Sequence, residues 1–547
     1  MLANVIGFGA YFSRRPPERP HVVLPTTAAT PSWRLEASSD TPDPTRRPNG
    51  RTQVEGATAA APVDSGEIVT SELLRAANRS PCAPDPSSKA DVRQYGAKGN
   101  GRTDDTEAIQ KANDAVAKRG GGRVVFPPGV YRAMGVQQDS CTEFTGSKYA
   151  TLLHPDGTSP AAIIEGRLRS TTGSIARNSR VLTVEATRGI RPGVLVAIQA
   201  ADGRSRLQRT KLSSSLTPYV KTITVQNTKG LQRGWRSYLY VENEVISYDG
   251  ISGNNLLNVQ RGLFGTPQTH HSAGRVVAQA QRKYAVVVRV TGKRITLDQP
   301  SSVRVQNADV KIGALGMSVV GLTLDGHRRP PGVVDANPLP LSYQLSRWVT
   351  LRDSTIKNGD HGGVRFDMGT RDSLIEDNTF IDHGDAGDEM GSAIWLFRGA
   401  TNNVVRGNTI SGQTFTGVTV DDRTIHSTEF DAESNGNTIE DNTIDMPSFA
   451  PPKSAAILII GSSGCRVINN VTSNATTGVM VARSAQGPIA SVAHQNSVRG
   501  NVLVGHKVAI NVSGSDNDFV GNEIREAQNA WKNSGQRNRF IDNTVIS

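Results

Sequence analysis

From residue 341 onward, apolar and polar positions alternate in short runs, as in Val364-Arg365-Phe366-Asp367 and Val418-Thr419-Val420-Asp421. A period of two predicts half-buried strands and not helices. A second phrase follows each run: apolar, any, any, Asn, any, apolar. It reads Ile375-Glu-Asp-Asn378-Thr-Phe380, Val405-Arg-Gly-Asn408-Thr-Ile410 and Ile439-Glu-Asp-Asn442-Thr-Ile444, and returns at Asn470, Asn501, Asn522 and Asn543. An earlier copy has Ser354 in the Asn slot. From Ser354 the steps are 24, 30, 34, 28, 31, 21 and 21 residues. A period with a floor and a free ceiling is a fixed rung plus loops of variable length, which is a solenoid. Leucine-rich repeats also carry Asn but need several Leu and a helical segment per repeat. The prediction is a parallel β-helix, with its Asn side chains stacked into a ladder that satisfies turn backbone.

Aligning the rungs sorts the faces. Leu341, Val364, Ile394 and Val418 point inward, as do Tyr343, Phe366, Leu396 and Val420. Ser342, Arg365, Trp395, Thr419 and Leu458 are expected to face solvent, with Gln344, Asp367, Phe397, Asp421 and Ile460 in the next outward file. Composition fits a solenoid of small stacked side chains: 54 Gly, 5 Trp and 5% aromatics in 547 residues. The three cysteines make neither a disulfide framework nor a metal site; Cys82 and Cys141 have the option of pairing, but nothing in the sequence requires it. The net charge of +11 suits either a solvated Arg-rich surface or an anionic partner such as a uronic-acid polysaccharide. A basic run with interleaved aromatics is lacking, which argues against nucleic acid.

Residues 1–85 are rich in Pro, Thr, Ala, Ser and Arg and too poor in apolar residues to cover the entropy of ordering, so a disordered tail is expected. Leu2 to Phe12 is mildly apolar with Arg14-Arg15 behind it, which reads as a weak or mis-started export signal or as plain tail. No apolar run reaches the length of a membrane span.

Order is expected from about residue 86, and here the chain resembles a known family. Ala90-Asp-Val-Arg-Gln-Tyr-Gly-Ala-Lys-Gly-Asn-Gly-Arg-Thr-Asp-Asp-Thr-Glu-Ala-Ile-Gln110 and Gly120-Gly-Gly-Arg-Val-Val-Phe-Pro-Pro-Gly-Val-Tyr131 resemble the opening of pectate-lyase-superfamily proteins. The resemblance implies an all-β, right-handed parallel β-helix with a helical N-terminal cap, on a scaffold shared by hydrolases, lyases and phage tailspikes. The residues support a cap independently. Thr103-Asp104-Asp105-Thr106 is a helix N-cap run, and Ala108, Ile109, Ala112 and Val116 form one apolar stripe to cover the open core. Asp104 and Asp105 are therefore structural. The cap and first coils span 86–167, the solenoid coils 313–547. Between them, 168–312 reads as an inserted small β domain of hairpin-like strands, either carbohydrate-binding or a spacer. His270-His271 within it is expected to be a turn pair with no ligand role.

Three successive coils concentrate chemistry. The proposed catalytic set is Asp421, Asp422, Asp367, His361 and Arg398. The substrate-binding set is Trp395, Arg365, Arg423, Asp360, Asp388, Glu389 and His426, with Trp395 stacking on a sugar face. Each Asp taken singly is more often a turn cap than a catalyst; clustering over three coils raises the case. Asp367 and Asp421 sit two coils apart, roughly 9–10 Å, near the upper end of the spacing of an inverting glycosidase pair. A lyase or epimerase would instead use Arg365, Arg398 or Arg423 to neutralise a uronate, with Ca²⁺ held on Asp367, Asp421 and Asp422. No cofactor is otherwise implied. The family's paired-Asp, Gly-His-Gly and Arg-x-Lys motifs are not reproduced, so its catalytic residues are not carried over. The expectation is a secreted or cell-surface polysaccharide lyase or glycoside hydrolase, monomeric or a β-helix trimer. The alternative is a non-catalytic, tailspike-like glycan binder.

Overall fold

The computed structural model describes residues 82–546 apart from 157–160, 201–208, 230, 232–236, 243, 263–267, 280, 302–303, 328–338, 385–390, 414, 422–433, 448–453 and 484–492. Most of the predicted tail thus lies outside the described residues. Its last four residues do not, and Cys82 is joined to Cys141 by a disulfide with Cα atoms 5.5 Å apart.

Among the described residues there is one α-helix, Thr106–Lys118; Ile109, Ala112, Asn113 and Val116 are its buried side. The cap differs in detail from expectation. Asp104 accepts the Thr106 N–H at 2.9 Å, while Asp105 turns away from the helix to accept the N–H groups of Lys98 and Gly99 at 2.7 and 3.0 Å. The helix ends at a glycine run that nothing else could fill. A Cβ on Gly121 would lie 2.4 Å from the Cys141 carbonyl oxygen, and one on Gly122 2.3 Å from that of Ser88.

The alternating runs form three parallel sheets of twelve, twelve and ten strands; each coil gives one strand to each sheet except the first and last, which give none to the third. In the coil from 350 these are Thr350–Arg352, Thr355–Lys357 and Gly362–Asp367. The register follows the alignment of the rungs: Leu341↔Val364↔Ile394↔Val418↔Ile457 inward, Ser342↔Arg365↔Trp395↔Thr419↔Leu458 outward. The inward files make one continuous buried core from Ala90 to Ile524. Each fully buried branched side chain contributes roughly 1.5–3 kcal/mol, repeated coil after coil.

The Asn ladder lies at the turn between the first and second sheets. Asn408 Nδ2 donates to Ile375 O, Arg406 O and Asn442 Oδ1, and Asn408 Oδ1 accepts both N–H and Nδ2 of Asn378, all at 2.9–3.0 Å. A second ladder, which the repeat phrase did not predict, runs at the turn from the third sheet to the first. It joins Ser373, Asn403 and Asn437, then Cys465, Asn496, Asn517 and Asn538, with Cys465 in an Asn position.

Between the third and fourth coils the chain leaves the solenoid. Six antiparallel strands between Arg169 and Ile312 close into a barrel. Leu195, Ala197, Tyr284 and Val286 of the barrel pack on Leu345 and Met368 of the solenoid. Within the barrel's own chain, residues 209–279 form a further module of a four-stranded and a three-stranded sheet with a separate core around Leu212, Ile223, Val241, Ile246 and Leu256.

Candidate functional site

The candidate cluster lies on the outward face of the third sheet, on strands Gly362–Asp367, Ser392–Phe397 and Thr416–Asp421. The pleat points Arg365, Trp395 and Thr419 outward in one file and Phe397 and Asp421 in the next, with Asp367 one coil before Phe397. Asp360 and His361 enter the first of these strands and are each 3% exposed. The structure thus brings together Asp360, His361, Arg365, Asp367, Trp395, Arg398 and Asp421. Asp422, Arg423, His426, Asp388 and Glu389 lie outside the described residues.

One expectation fails here. The outward file does not face solvent: Ser342, Trp395, Thr419 and Leu458 are all buried. The outward residues on these coils include Trp395, Phe397 and Leu458, and side chains of that size pack together whichever side of a sheet they occupy. Trp395 is not an open platform either. Its ring stacks on Phe397 with centroids 4.6 Å apart, and His361 lies tilted at 5.6 Å. Its indole N–H is buried without a hydrogen-bond partner, as is the Ser342 hydroxyl in the same file.

The two aspartates differ. Asp367 is fully buried and takes both Nε (2.7 Å) and Nη2 of Arg398 in a forked ion pair, with the Met368 N–H at 2.6 Å and Arg365 Nε at 3.7 Å. Burial pushes its pKa up, but the charge and hydrogen bonds of Arg398 outweigh that and hold it below the ordinary carboxylate value. Arg398 reaches back across the coil from a left-handed backbone, φ +46°, with its guanidinium 4.7 Å over the Phe397 ring. Asp421 is also buried, and its backbone carbonyl accepts the Arg398 N–H at 3.3 Å.

Two family models match the chain. One, described as rhamnogalacturonase A/epimerase, pectate lyase-like, covers residues 90–289; the other, a right handed beta helix region, covers 342–545. The chain is a pectate-lyase-like right-handed parallel β-helix protein. Among curated proteins it is 55% identical over 49 residues to Alginate lyase 7 of Azotobacter vinelandii, a match covering 9% of this chain and 6% of that one. It is 45% identical over 60 residues to mannuronan C5-epimerase AlgE6 of the same organism, covering 11% and 7%. The matched stretches are thus a small part of either relative. Among solved structures it is similar to a hyperthermoactive exopolygalacturonase from Thermotoga maritima, at 15% identity and a TM-score of 0.41, over 86% of this chain and 95% of that one.

In this pectate-lyase-like solenoid, several residues near the cluster were not singled out from the sequence. His383 is buried; its Nδ1 accepts the Gly359 N–H at 3.1 Å and its Nε2–H points to Ile356 O at 3.0 Å, fixing the turn that carries Asp360 and His361. His506 repeats the arrangement on Ala475 and Thr472, which marks it as a turn device that recurs with the coil. Ser392, Thr416 and Thr419 bring three buried hydroxyls within 2.5–3.0 Å of one another. Asp367 does not fit a Ca²⁺ site, because Arg398 and the Met368 N–H already occupy its oxygens. Among the described residues no group of three or more His, Cys, Asp or Glu is placed to hold a metal ion.

Proposed function

We propose that this pectate-lyase-like protein cleaves an acidic polysaccharide by β-elimination at the coils spanning 341–421. The observation that carries this reading is the ion pair of Asp367 with Arg398. Hydrolysis with inversion needs one carboxyl that donates a proton and a second that activates water. A carboxylate held ionised in a forked pair is a poor donor and a weak base, which removes Asp367 from such a dyad. Elimination needs instead a cation on the uronate carboxyl and a single base. Arg365 is the cation, at the centre of the cluster and partly exposed. His361 takes the proton from C5, the C5–H electron pair becomes the C4=C5 double bond, and the C4–O4 bond breaks with O4 leaving to be protonated. Asp421 ends the strand two coils beyond Arg365 on the same face. Asp422, Arg423 and His426 are candidates for the wall of the same groove. The positive net charge supports an anionic substrate. The Cys82–Cys141 disulfide supports an extracellular or cell-surface setting.

The test is a panel of alginate, polygalacturonate and neutral glucans read for ultraviolet absorbance of the unsaturated product and for new reducing ends. Elimination gives both signals, and Arg365→Ala lowers both. Reducing ends without the absorbance would make the protein a hydrolase. Binding without either signal would make it a glycan-binding solenoid.

A further inference from the structure

The inserted module differs from the solenoid in charge. Residues 209–279 hold eight Lys and Arg against three Asp and Glu, so a small part of the chain carries nearly half of its net charge of +11. Most of its acid is already committed. Glu244 is buried and accepts Arg261 Nε at 2.5 Å and Nη2 at 2.6 Å. His271 is not the idle turn residue expected from the sequence: its ring is buried, 2.7 Å from Glu242 Oε2 and 2.8 Å from Glu244 Oε2. Glu242 also pairs with Arg275 at 3.0 Å. Lys211, Lys221 and Lys229 are exposed and form no ion pair among the described residues.

Lys221 belongs to a loop whose ends, Leu212 and Val225, bridge to each other. The loop is braced at three points by backbone carbonyls and N–H groups. Leu216 and His271 exchange both backbone hydrogen bonds at 2.7 and 2.9 Å. Arg261, held by Glu244, donates Nη1 to Thr217 O at 2.7 Å. The Val259 N–H donates to Lys221 O at 2.9 Å.

Between these braces stands Tyr219. It is 89% exposed, more than any other large apolar side chain among the described residues. Its φ is +70°, and Pro218 precedes it. A Pro-led turn with positive φ at the following residue ordinarily takes Gly or Asn there. This loop instead holds a phenol ring in solvent at a position where Gly would be unstrained. The side chains around it in the loop are polar: Ser213, Ser214, Thr217, Lys221 and Thr222 are all exposed.

We propose that the 212–225 loop is a second binding site for an acidic polysaccharide, apart from the groove on the solenoid. Tyr219 stacks on the face of a pyranose ring, Lys221 and Lys211 pair with uronate carboxylates, and the Ser and Thr hydroxyls exchange hydrogen bonds with those of the sugar. The surroundings of the ring decide the class of partner. A loop that enters a membrane carries several apolar side chains, and a single-stranded nucleic acid is tracked by successive aromatics. Here one aromatic stands among hydroxyls and ammonium groups, which suits a ligand of hydroxyls and carboxylates. The site holds its ligand whether or not the solenoid cleaves it.

The experiment uses the full chain with two linear polyuronates, alginate and polygalacturonate, and dextran as the neutral control. Amide hydrogen exchange locates binding and its dependence on polymer concentration gives the affinity. At least one polyuronate should slow exchange across 212–225, less so as salt is raised, and dextran should not. Tyr219→Gly should weaken that protection at least about tenfold. Because Gly suits the left-handed turn, the variant should keep the unfolding transition of the wild type, so a loss of binding is not a loss of fold. Tyr219→Phe should bind like the wild type, and Lys221→Gln should weaken binding at low salt and little at high salt. Cleavage of short oligosaccharides in the groove should be the same with Tyr219→Gly, and a groove that cleaves nothing leaves the binding outcomes as they are. No protection of the loop by either polyuronate, equal protection by dextran, or protection that Tyr219→Gly does not weaken would overturn the site. Protection by anionic vesicles or an oligonucleotide in place of the polyuronates would overturn it too, by giving the loop a partner of another class.

Discussion

Asn408 in the solenoid and Glu244 in the inserted module are equally buried, each 1% exposed, and each has all its polar atoms satisfied. The means are opposite. Asn408 is served by its own kind: an Asn one coil before, an Asn one coil after, and the backbone between. Glu244 is served by a set that occurs once, Arg261, His271, Gly262 and Thr269, none related to another by any repeat. A translational repeat lets neutral amides satisfy one another without limit and spreads the risk over many rungs. A small module without a repeat concentrates the same task in one charged cluster, where losing a single partner leaves a charge stranded.

That contrast is broken most directly at Arg261. Arg261→Ala leaves Glu244 buried with its main counter-ion gone, and should cost the module about 3–5 kcal/mol. Amides within 209–279 should lose exchange protection while those of the Asn ladder keep theirs. A single lowered melting transition for both would show that module and solenoid unfold as one unit. Arg261→Lys should recover only part of the loss, because an ammonium lacks the fork that meets both Glu244 oxygens.

Next in size, Asn408→Ala should cost about 1–3 kcal/mol, since it strands the Asn378 N–H and the Ile375 carbonyl. A cost near zero would mean that water replaces the amide and that the rungs do not depend on one another.

The two regions also differ in what their sequences disclose. In the solenoid, strand register and the first ladder were legible, because parallel coils repeat the same residue at the same place. The second ladder was equally present: Asn403, Asn437, Asn496, Asn517 and Asn538 each stand five residues before an Asn of the first. It was missed because Ser373 and Cys465 interrupt it. The site was half legible. Alternation told which side of the sheet Trp395 and Asp367 occupy, but whether that side meets water depends on the size of Phe397 and Leu458 beside them. The pairing of Asp367 with Arg398 depends on one left-handed backbone angle at Arg398. In the module the hairpin-like strands were legible but the charged cluster was not, since Glu244, Arg261 and His271 share no period.

Asp367 should also respond to acid. Its folded pKa is lowered, so its stabilisation is present above the ordinary carboxylate value of 3.8 and is lost as pH falls through the folded value. Asp367→Asn should remove that part of the acid limb of stability against pH and cost about 1–2 kcal/mol at neutral pH. An unchanged acid limb would show that solvent already screens the Arg398 pair.

The smallest effect on stability is expected at Trp395, and it sharpens the comparison because the sign of the polar contribution reverses. Phe in place of Trp395 keeps an aromatic ring against Phe397 and His361 and removes an indole N–H that has no partner. Deleting a satisfied amide, as at Asn408, strands its neighbours. Deleting an unsatisfied donor strands nothing and relieves its desolvation cost, offset by the smaller ring volume. The net change should stay within about 1 kcal/mol. A large loss of stability would show that the indole edge is bonded after all, through ordered water, and that the outward face of the third sheet is as fully satisfied as the ladder behind it.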